Sequence, residues 1–405
     1  MSITAAPVAA KDRFESLDVL RGIAVLGILM VNVQAFAMVF TAYQNPPSHM
    51  DFTGANQTAW FFQHVFFEMK FITLFSAMFG AGIVLMVGDG PDSSTKVHYR
   101  RMLWLLAFGL VHAYALWFGD ILFTYALAGM IVVLFRRMSV GKLVFWGLFW
   151  TALTGLLMLA MFGSFALLPE GMGAEDVNMA LGAEALASQV AAYQAGWLDS
   201  RGYNALGAII GQLGALAFAG RIIGVMFIGM ALFKSGFLLA KWSAGRYFIY
   251  ALIGLGLGLP LVWWGAEHAL ATGFALGGMW VHTTTNYVGS LLMAFGYAAL
   301  VMLACKAPWM AIIRAPFRAA GRMAFTNYLT QSIVMVFIFV GPPGLGLYGT
   351  MERVEQVQLV IAVWIAQLIV SVLWLQVFRY GPFEWLWRAL TYGKLHPILK
   401  ERAAA

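Results

Sequence analysis

The chain has 405 residues, of which 61% are hydrophobic and 11% charged, with a single cysteine and a formal net charge of +7. A typical soluble domain is roughly 25% charged, so a water-soluble surface is excluded. Disorder needs the opposite balance of hydrophobicity and charge, and a disulfide scaffold needs partners that Cys305 lacks.

An all-α polytopic membrane bundle remains, because a transmembrane barrel alternates strictly in segments of about ten residues. A spanning helix needs about 20 apolar residues. In chain order the candidate runs are Val19–Phe40, Trp60–Val87, Met102–Phe118, Ile121–Phe135, Leu143–Leu167, Ala205–Phe233, Tyr247–Ala266, Tyr287–Cys305, Met323–Val340 and Val357–Phe378, ten in all. The sixth is long enough to tilt or to contain a break at Gly220.

Charge tests the count, since Lys and Arg collect on the cytoplasmic side of short loops. With the N-terminus inside, one set of segments holds Lys11 and Arg13, then Lys96, Arg100 and Arg101, then Arg136, Arg137 and Lys142. Lys234, Lys241, Arg246, Lys306, Arg314, Arg318, Arg322 and the basic C-terminus continue the pattern. The opposite segments hold only Arg201 and Arg353, among acids such as Asp51, Glu170, Asp176, Asp199, Glu267 and Glu355. Every alternation agrees with about ten helices and with both termini cytoplasmic. The positive balance therefore reads as topology, and no nucleic-acid partner is expected.

The organisation expected is one transmembrane domain over 1–405. Residues 1–12 form a flexible cytoplasmic tail. Residues 170–203 form a long external loop whose apolar spacing around Asp176–Leu198 suggests an amphipathic helix. Residues 379–405 form a cytoplasmic, interfacial C-terminal segment, with Glu384 and Arg388 spaced for an ion pair. No cleavable signal peptide is expected, because the first apolar run is too long for one.

Charges in hydrocarbon cost at least about 2.5–3.5 kcal/mol each on insertion scales, so each one marks a partner or a function. Asp18 and Arg21 share a helix face at the inner end of the first span; they read as an interfacial salt bridge or as an anion-binding pair. Asn32 extends that face outward. Lys70 lies near mid-membrane, too deep to snorkel, and needs a partner on another helix. His112 sits about 15 Å from the inner surface at 1.5 Å per residue; it reads as a histidine bonded between helices or as an acid–base group. The third and fourth runs are too short to cross fully, so the Gly119–Asp120 turn stops inside the bundle and brings Asp120 towards His112. Asn327 and Gln331 are four apart, with Thr326 and Ser332 nearby, and read first as polar glue between helices. No histidine pair has metal-ligand spacing, so no metal is expected.

The stretches SLDVLRGIAVLGILMVN (16–32), KFITLFSAMFGAG (70–82), RRMLWLLAFGLVHAYALWFGDILFTYALAG (100–129), GRMAFTNYLTQS (321–332) and GPFEWLWRALTYG (381–393) together resemble the bacterial YeiB-like membrane protein family, whose C-terminal half is a domain of unknown function. LDVLRG is also similar to the opening of heparan-α-glucosaminide N-acetyltransferase and its transmembrane acyltransferase relatives. That likeness implies a multi-pass protein of the bacterial inner membrane that moves acyl groups from cytoplasmic acyl-CoA to an acceptor. In the heparan enzyme a histidine in the first external region is catalytic; His49 lies in that loop here, without a matching motif.

On this reading His112 is a general base assisted by Asp120 and Lys70 or Asn32 stabilises the oxyanion. Asp18 orients Arg21, and Arg21, Asn32, Arg322 and Asn327 line the acyl-CoA site. The expected partners are membrane lipids, a small-molecule or glycan acceptor and, as one compatible assembly, a second copy in a homodimer. A transporter of a small metabolite or lipid precursor is the alternative, with the same ions lining its path.

Overall fold

The computed structural model describes residues 14–90, 94–167 and 182–400. The expected tail over 1–12 and the first part of the external loop lie outside the described residues. Among the described residues the chain is helical throughout, without named strands. The helices are α1 (Glu15–Ala37), α2 (Gly54–Phe66), α3 (Lys70–Val87), α4 (Lys96–Val111), α5 (Leu122–Val132), α6 (Val140–Gly163), α7 (Ala183–Ala195) and α8 (Arg201–Ala217). They continue as α9 (Ala219–Lys234), α10 (Ala244–Ala271), α11 (Met279–Lys306), α12 (Ala311–Arg322), α13 (Ala324–Phe339), α14 (Arg353–Val377) and α15 (Pro382–Tyr392).

All ten predicted runs are helical, but they are not equally long. Among the described residues six segments are long and apolar enough to cross a membrane: α1, α2 with α3, α6, α10, α11 and α14. A seventh is the pair α8–α9, which bends by 59° at Phe218, two residues before the expected break at Gly220. The other three runs correspond to α4, α5 and α13. At 16, 11 and 16 residues they rise about 17–24 Å, less than the ~30 Å of a bilayer core.

Burial decides which helices are central. In α1, 78% of the most apolar window is buried, against 22% in α6 and 17% in α14. α1 is the axial helix, while α6, α10 and α14 form the perimeter. Phe145, Leu156, Leu252 and Ile369 stand more than half exposed there, a surface that is stable only against lipid.

Two departures from regular geometry position polar groups. Met69 adopts φ 64°, in the left-handed region, and separates α2 from α3. Lys70 thus begins a new helix and donates to the His64 carbonyl and to Asn286 Oδ1, each at 2.7 Å. Glu68, on the other side of the break, meets His64 Nδ1 at 2.5 Å. Asn286 of α11 is the partner on another helix expected for Lys70, whereas Glu68 pairs four residues back, with His64 of α2.

The second feature is the crossing of α1 and α12, where a Cβ on Gly22 would strike the Phe317 carbonyl and one on Gly321 the Asp18 carbonyl. Only glycine permits this approach, which seats Asp18 and Arg21 beside Arg322. Gly321→Ala is expected to destabilise the bundle by about 1–3 kcal/mol through overpacking, read as a lower unfolding midpoint in detergent. An unchanged midpoint would mean that the two helices separate without loss.

α7 does not lie loose on the outer surface. Its Tyr193 stacks on Tyr348 at 4.2 Å, its carbonyl at Tyr193 accepts from Gly341 N at 2.7 Å, and Gln194 donates to the Tyr348 carbonyl at 2.8 Å. The segment after it closes over the turn between α4 and α5.

Candidate functional site

A cavity of about 300 Å³ opens where α1, α4 and α15 meet. Arg21, Arg101, Arg322 and Arg388 line it, with Asp18 and Glu384 as the acids. This is the basic face of the bundle. Deeper, the walls become apolar and aromatic: Phe75, Phe79, Leu105, Ile121, Tyr125 and Tyr328. The cavity is therefore charged at one end and greasy at the other, in the form expected for a ligand with a charged head and an apolar arm.

The charged end is built by side chains on four helices. Arg21 Nη1 lies 3.1 Å from Asp18 Oδ1, as their spacing predicts. Arg101 stacks over the Trp387 ring at 4.0 Å from the centroid, and Arg388 over Tyr380 at 4.5 Å. Arg322 Nη2 donates to the Arg379 carbonyl at 3.3 Å. The expected Glu384–Arg388 ion pair is absent among the described residues. Glu384 turns instead to the start of α13, accepting from the amides of Phe325 at 2.6 Å and Thr326 at 3.1 Å and from Thr326 Oγ1 at 2.5 Å. Exposed amides and the helix dipole at an N-terminus hold a carboxylate more firmly than an i,i+4 surface pair does. Burial pushes the Glu384 carboxyl above the usual range, against the pull of these donors.

The apolar end abuts the α4–α5 hairpin. α4 ends in one π-helical turn over His112–Leu116, a distortion often found at functional sites. The carbonyls it releases are satisfied from α8 and the residues before it: Asn204 donates to Ala113 O at 2.8 Å, and Trp197 Nε1 and Arg201 to Ala115 O at 2.9 and 3.1 Å. Trp117 stacks on Phe36 of α1 at 3.9 Å. Together Trp117, Trp197 and Arg201 roof the hairpin on the side away from the cavity. Gly109 lets α5 come close, because a Cβ there would press on Phe123 N and Asp120 Oδ1.

Under this roof His112 Nδ1 lies 2.9 Å from Asp120 Oδ2, with both side chains almost wholly buried. The approach falls outside hydrogen-bond geometry, and neither atom has another hydrogen bond among the described residues. Asp120 has two roles: Oδ1 accepts from Phe123 N at 2.8 Å, starting α5 as turn chemistry predicts, and Oδ2 faces the imidazole. On the other side of the ring, His112 Nε2 lies 2.8 Å from Ser332 Oγ of α13. The Tyr328 ring is 5.1 Å from the His112 ring and also lines the cavity. It stands between the open space and the histidine, and its hydroxyl lies beside the Ile121 amide without completing a hydrogen bond.

The structure thus gathers His112 with Asp120, and Asp18, Arg21 and Arg322 around the cavity that ends beside them. It sets three other candidates apart. Lys70 is fully buried with His64 and Asn286 and does not line the cavity. Asn32 does not line it either. Asn327 donates to the Ala320 carbonyl and to Ser371 Oγ, both at 3.1 Å, the glue reading of that residue. Lys70 and Asn32 therefore have no contact with the place where His112 could act. The reason for Lys70 is the break at Met69, which turns its side chain into the α3–α11 contact.

Sequence reasoning passed over Tyr328, named Arg101 only within the cytoplasmic basic cluster, and named Ser332 only as a polar neighbour of Asn327 and Gln331. Ser332 is four residues after Tyr328, so both lie on one face of α13. That periodicity was visible; the residue opposite it was not.

An all-α membrane bundle with a basic-mouthed cavity ending at a buried His–Asp–Ser cluster is the class that fold and site define. The chain belongs to the YeiB-like family. It is 32% identical to the "Uncharacterized protein YeiB" of Escherichia coli (strain K12) over 409 residues, covering 96% of this chain and 99% of that protein. It is also 32% identical to the "Uncharacterized protein YxaH" of Bacillus subtilis (strain 168) over 416 residues, 98% of each chain. An "Uncharacterized 39.9 kDa protein in amylase 3'region" of Bacillus acidopullulyticus is 26% identical over 98% of this chain and 99% of its own length. The family model described as "Protein of unknown function (DUF418)" matches residues 232–394. That stretch contains Arg322, Tyr328, Ser332, Glu384 and Arg388, whereas Arg21, His112 and Asp120 come from the preceding part of the chain.

Proposed function

We propose that this protein is a transmembrane acyltransferase of the bacterial inner membrane, taking an acyl group from acyl-CoA at its basic, cytoplasmic face and passing it to a small-molecule or glycan acceptor. One observation carries the reading: a single cavity runs from four arginines to the wall beside His112 and Asp120. Guanidinium groups suit phosphates, because their planar fork donates two parallel hydrogen bonds. A volume of about 300 Å³ is at the small end for ligand pockets. It suits the acyl-pantetheine arm, while the charged nucleotide stays at the mouth and never crosses lipid.

The chemistry asks for a base at the inner end. His112 takes a proton at Nε2, and the Asp120 carboxylate stabilises the imidazolium so formed. Both are desolvated, which strengthens their mutual attraction. With Lys70 and Asn32 off this path, the Tyr328 hydroxyl is the donor best placed for developing negative charge on the thioester oxygen. Trp197 and Arg201 keep water from the far side.

A second reading, a transporter, is favoured by the broken span α8–α9 and by Arg221 buried just after the break. Arg221 donates to the Tyr287 carbonyl at 3.0 Å, Thr73 Oγ1 at 2.9 Å and Ser290 Oγ at 3.0 Å; discontinuous helices of this kind recur in transporters. Purified protein given acyl-CoA decides between them. Saturable binding with slow thioester hydrolysis is expected. Uptake of an unaltered solute into proteoliposomes, without acyl-CoA binding, would overturn the acyltransferase.

A further inference from the structure

Resting on the acyltransferase reading, we infer that Ser332 is the nucleophile of a two-step transfer and carries the acyl group as an ester between donor and acceptor. Asp120 Oδ2 lies 2.9 Å from His112 Nδ1, and His112 Nε2 lies 2.8 Å from Ser332 Oγ. An acid faces an imidazole whose far nitrogen meets a hydroxyl, the order of groups that activates a serine on unrelated folds. Three segments supply it: α13, the π-turn ending α4, and the turn before α5. A serine that only satisfied its own helix would bond the carbonyl four residues back. Ser332 Oγ makes that bond only at 3.5 Å, to the Tyr328 carbonyl, and lies closer to the imidazole, at 2.8 Å. Thr330, two residues earlier on another face, shows the ordinary pattern, with Oγ1 2.9 Å from the Thr326 carbonyl.

Ser332 and His112 are 2% and 1% exposed, and the Tyr328 ring separates them from the cavity. Burial protects an ester from water, which a two-step enzyme needs while it waits for an acceptor. In the first step the Tyr328 ring turns aside to admit the thioester, and Ser332 Oγ attacks its carbonyl carbon as the serine proton passes to His112 Nε2. The C–S bond then breaks, and the CoA sulfur leaves with that proton as a thiol. In the second step the acceptor hydroxyl or amine attacks the serine ester, gives its proton to His112, and Ser332 Oγ leaves and recovers that proton. No oxidant, metal or further reactant enters.

The test uses the full-length protein in detergent with two probes: a short-chain acyl-CoA, and a small fluorophosphonate that labels activated serines without needing CoA. Intact mass and peptide mapping locate adducts, and an unfolding midpoint checks each variant. The expected result is an acyl adduct and a phosphonyl adduct, both on Ser332, both lost to background in Ser332→Ala and His112→Gln. Ser332→Cys, which differs by one atom, should recover an acyl adduct, now cleaved by neutral hydroxylamine as a thioester is. If acyl-CoA is turned over while Ser332→Ala keeps wild-type rate and no adduct maps to Ser332, the inference is wrong and transfer is direct, with the acyltransferase reading intact. If fluorophosphonate labels Ser332 but acyl-CoA neither binds nor reacts, the donor is wrong and the nucleophile stands. Absence of both adducts and of turnover overturns both.

Discussion

His112→Ala is expected to lower acyl-CoA turnover by about 10²–10⁴-fold, the range that a positioned general base contributes, with acyl-CoA affinity little changed. The asymmetry follows from position. His112 lies behind Tyr328, beyond the cavity wall, so it has no part in holding the nucleotide. The reading in which His112 only bonds two helices predicts the reverse pattern, a lower unfolding midpoint with turnover kept in whatever protein stays folded. His112→Gln separates the two, because its amide can still reach Ser332 without accepting a proton at neutral pH. Turnover within about tenfold of wild type in that variant, well short of the expected loss, would remove His112 from the chemistry.

Arg101→Ala is expected to weaken acyl-CoA binding by about 10–100-fold, corresponding to the ~1.5–3 kcal/mol of hydrogen bonds to a charged group. Arg101 is held at the mouth by its stacking on Trp387, so its guanidinium is in place before a phosphate arrives. Arg101→Lys should recover the charge but not the paired donors, giving an intermediate affinity. Binding to wild type should also fall as salt rises, because charges at an open mouth are screened. Equal affinities of wild type and Arg101→Ala in a direct binding measurement, with the unfolding midpoint unchanged, would show that the donor's phosphates are held elsewhere.

Much of the fold was legible because a bilayer imposes a one-dimensional code. A run of about 20 apolar residues and the side of its flanking arginines say where a helix is and which way it points. Asp18–Arg21 was legible because three residues on a helix fix a distance. The short α4–α5 hairpin was legible too, since two runs of 17 and 15 residues cannot both cross, and that placed Asp120 near His112.

The Glu384–Arg388 spacing suggested a pair by the same local rule, and there the rule failed. The open N-terminus of α13 offers Glu384 two amides and a hydroxyl, a competitor from a segment about 60 residues away that no spacing within α15 can reveal. Lys70 failed similarly, because a left-handed residue at Met69 redirects the helix that the apolar pattern continues through.

The sequence by itself determined the membrane class, the helical runs and the ionisable residues that needed partners, since each follows from hydrophobicity, charge and helical period along one chain. Only the tertiary structure decided which of those residues meet. Ser332 faces His112 across 220 positions, and Arg101 rests on Trp387 across 286, because α13 and α15 return to the α4–α5 hairpin. A buried polar atom takes whatever partner packing brings within 3 Å, and packing is a property of the whole bundle.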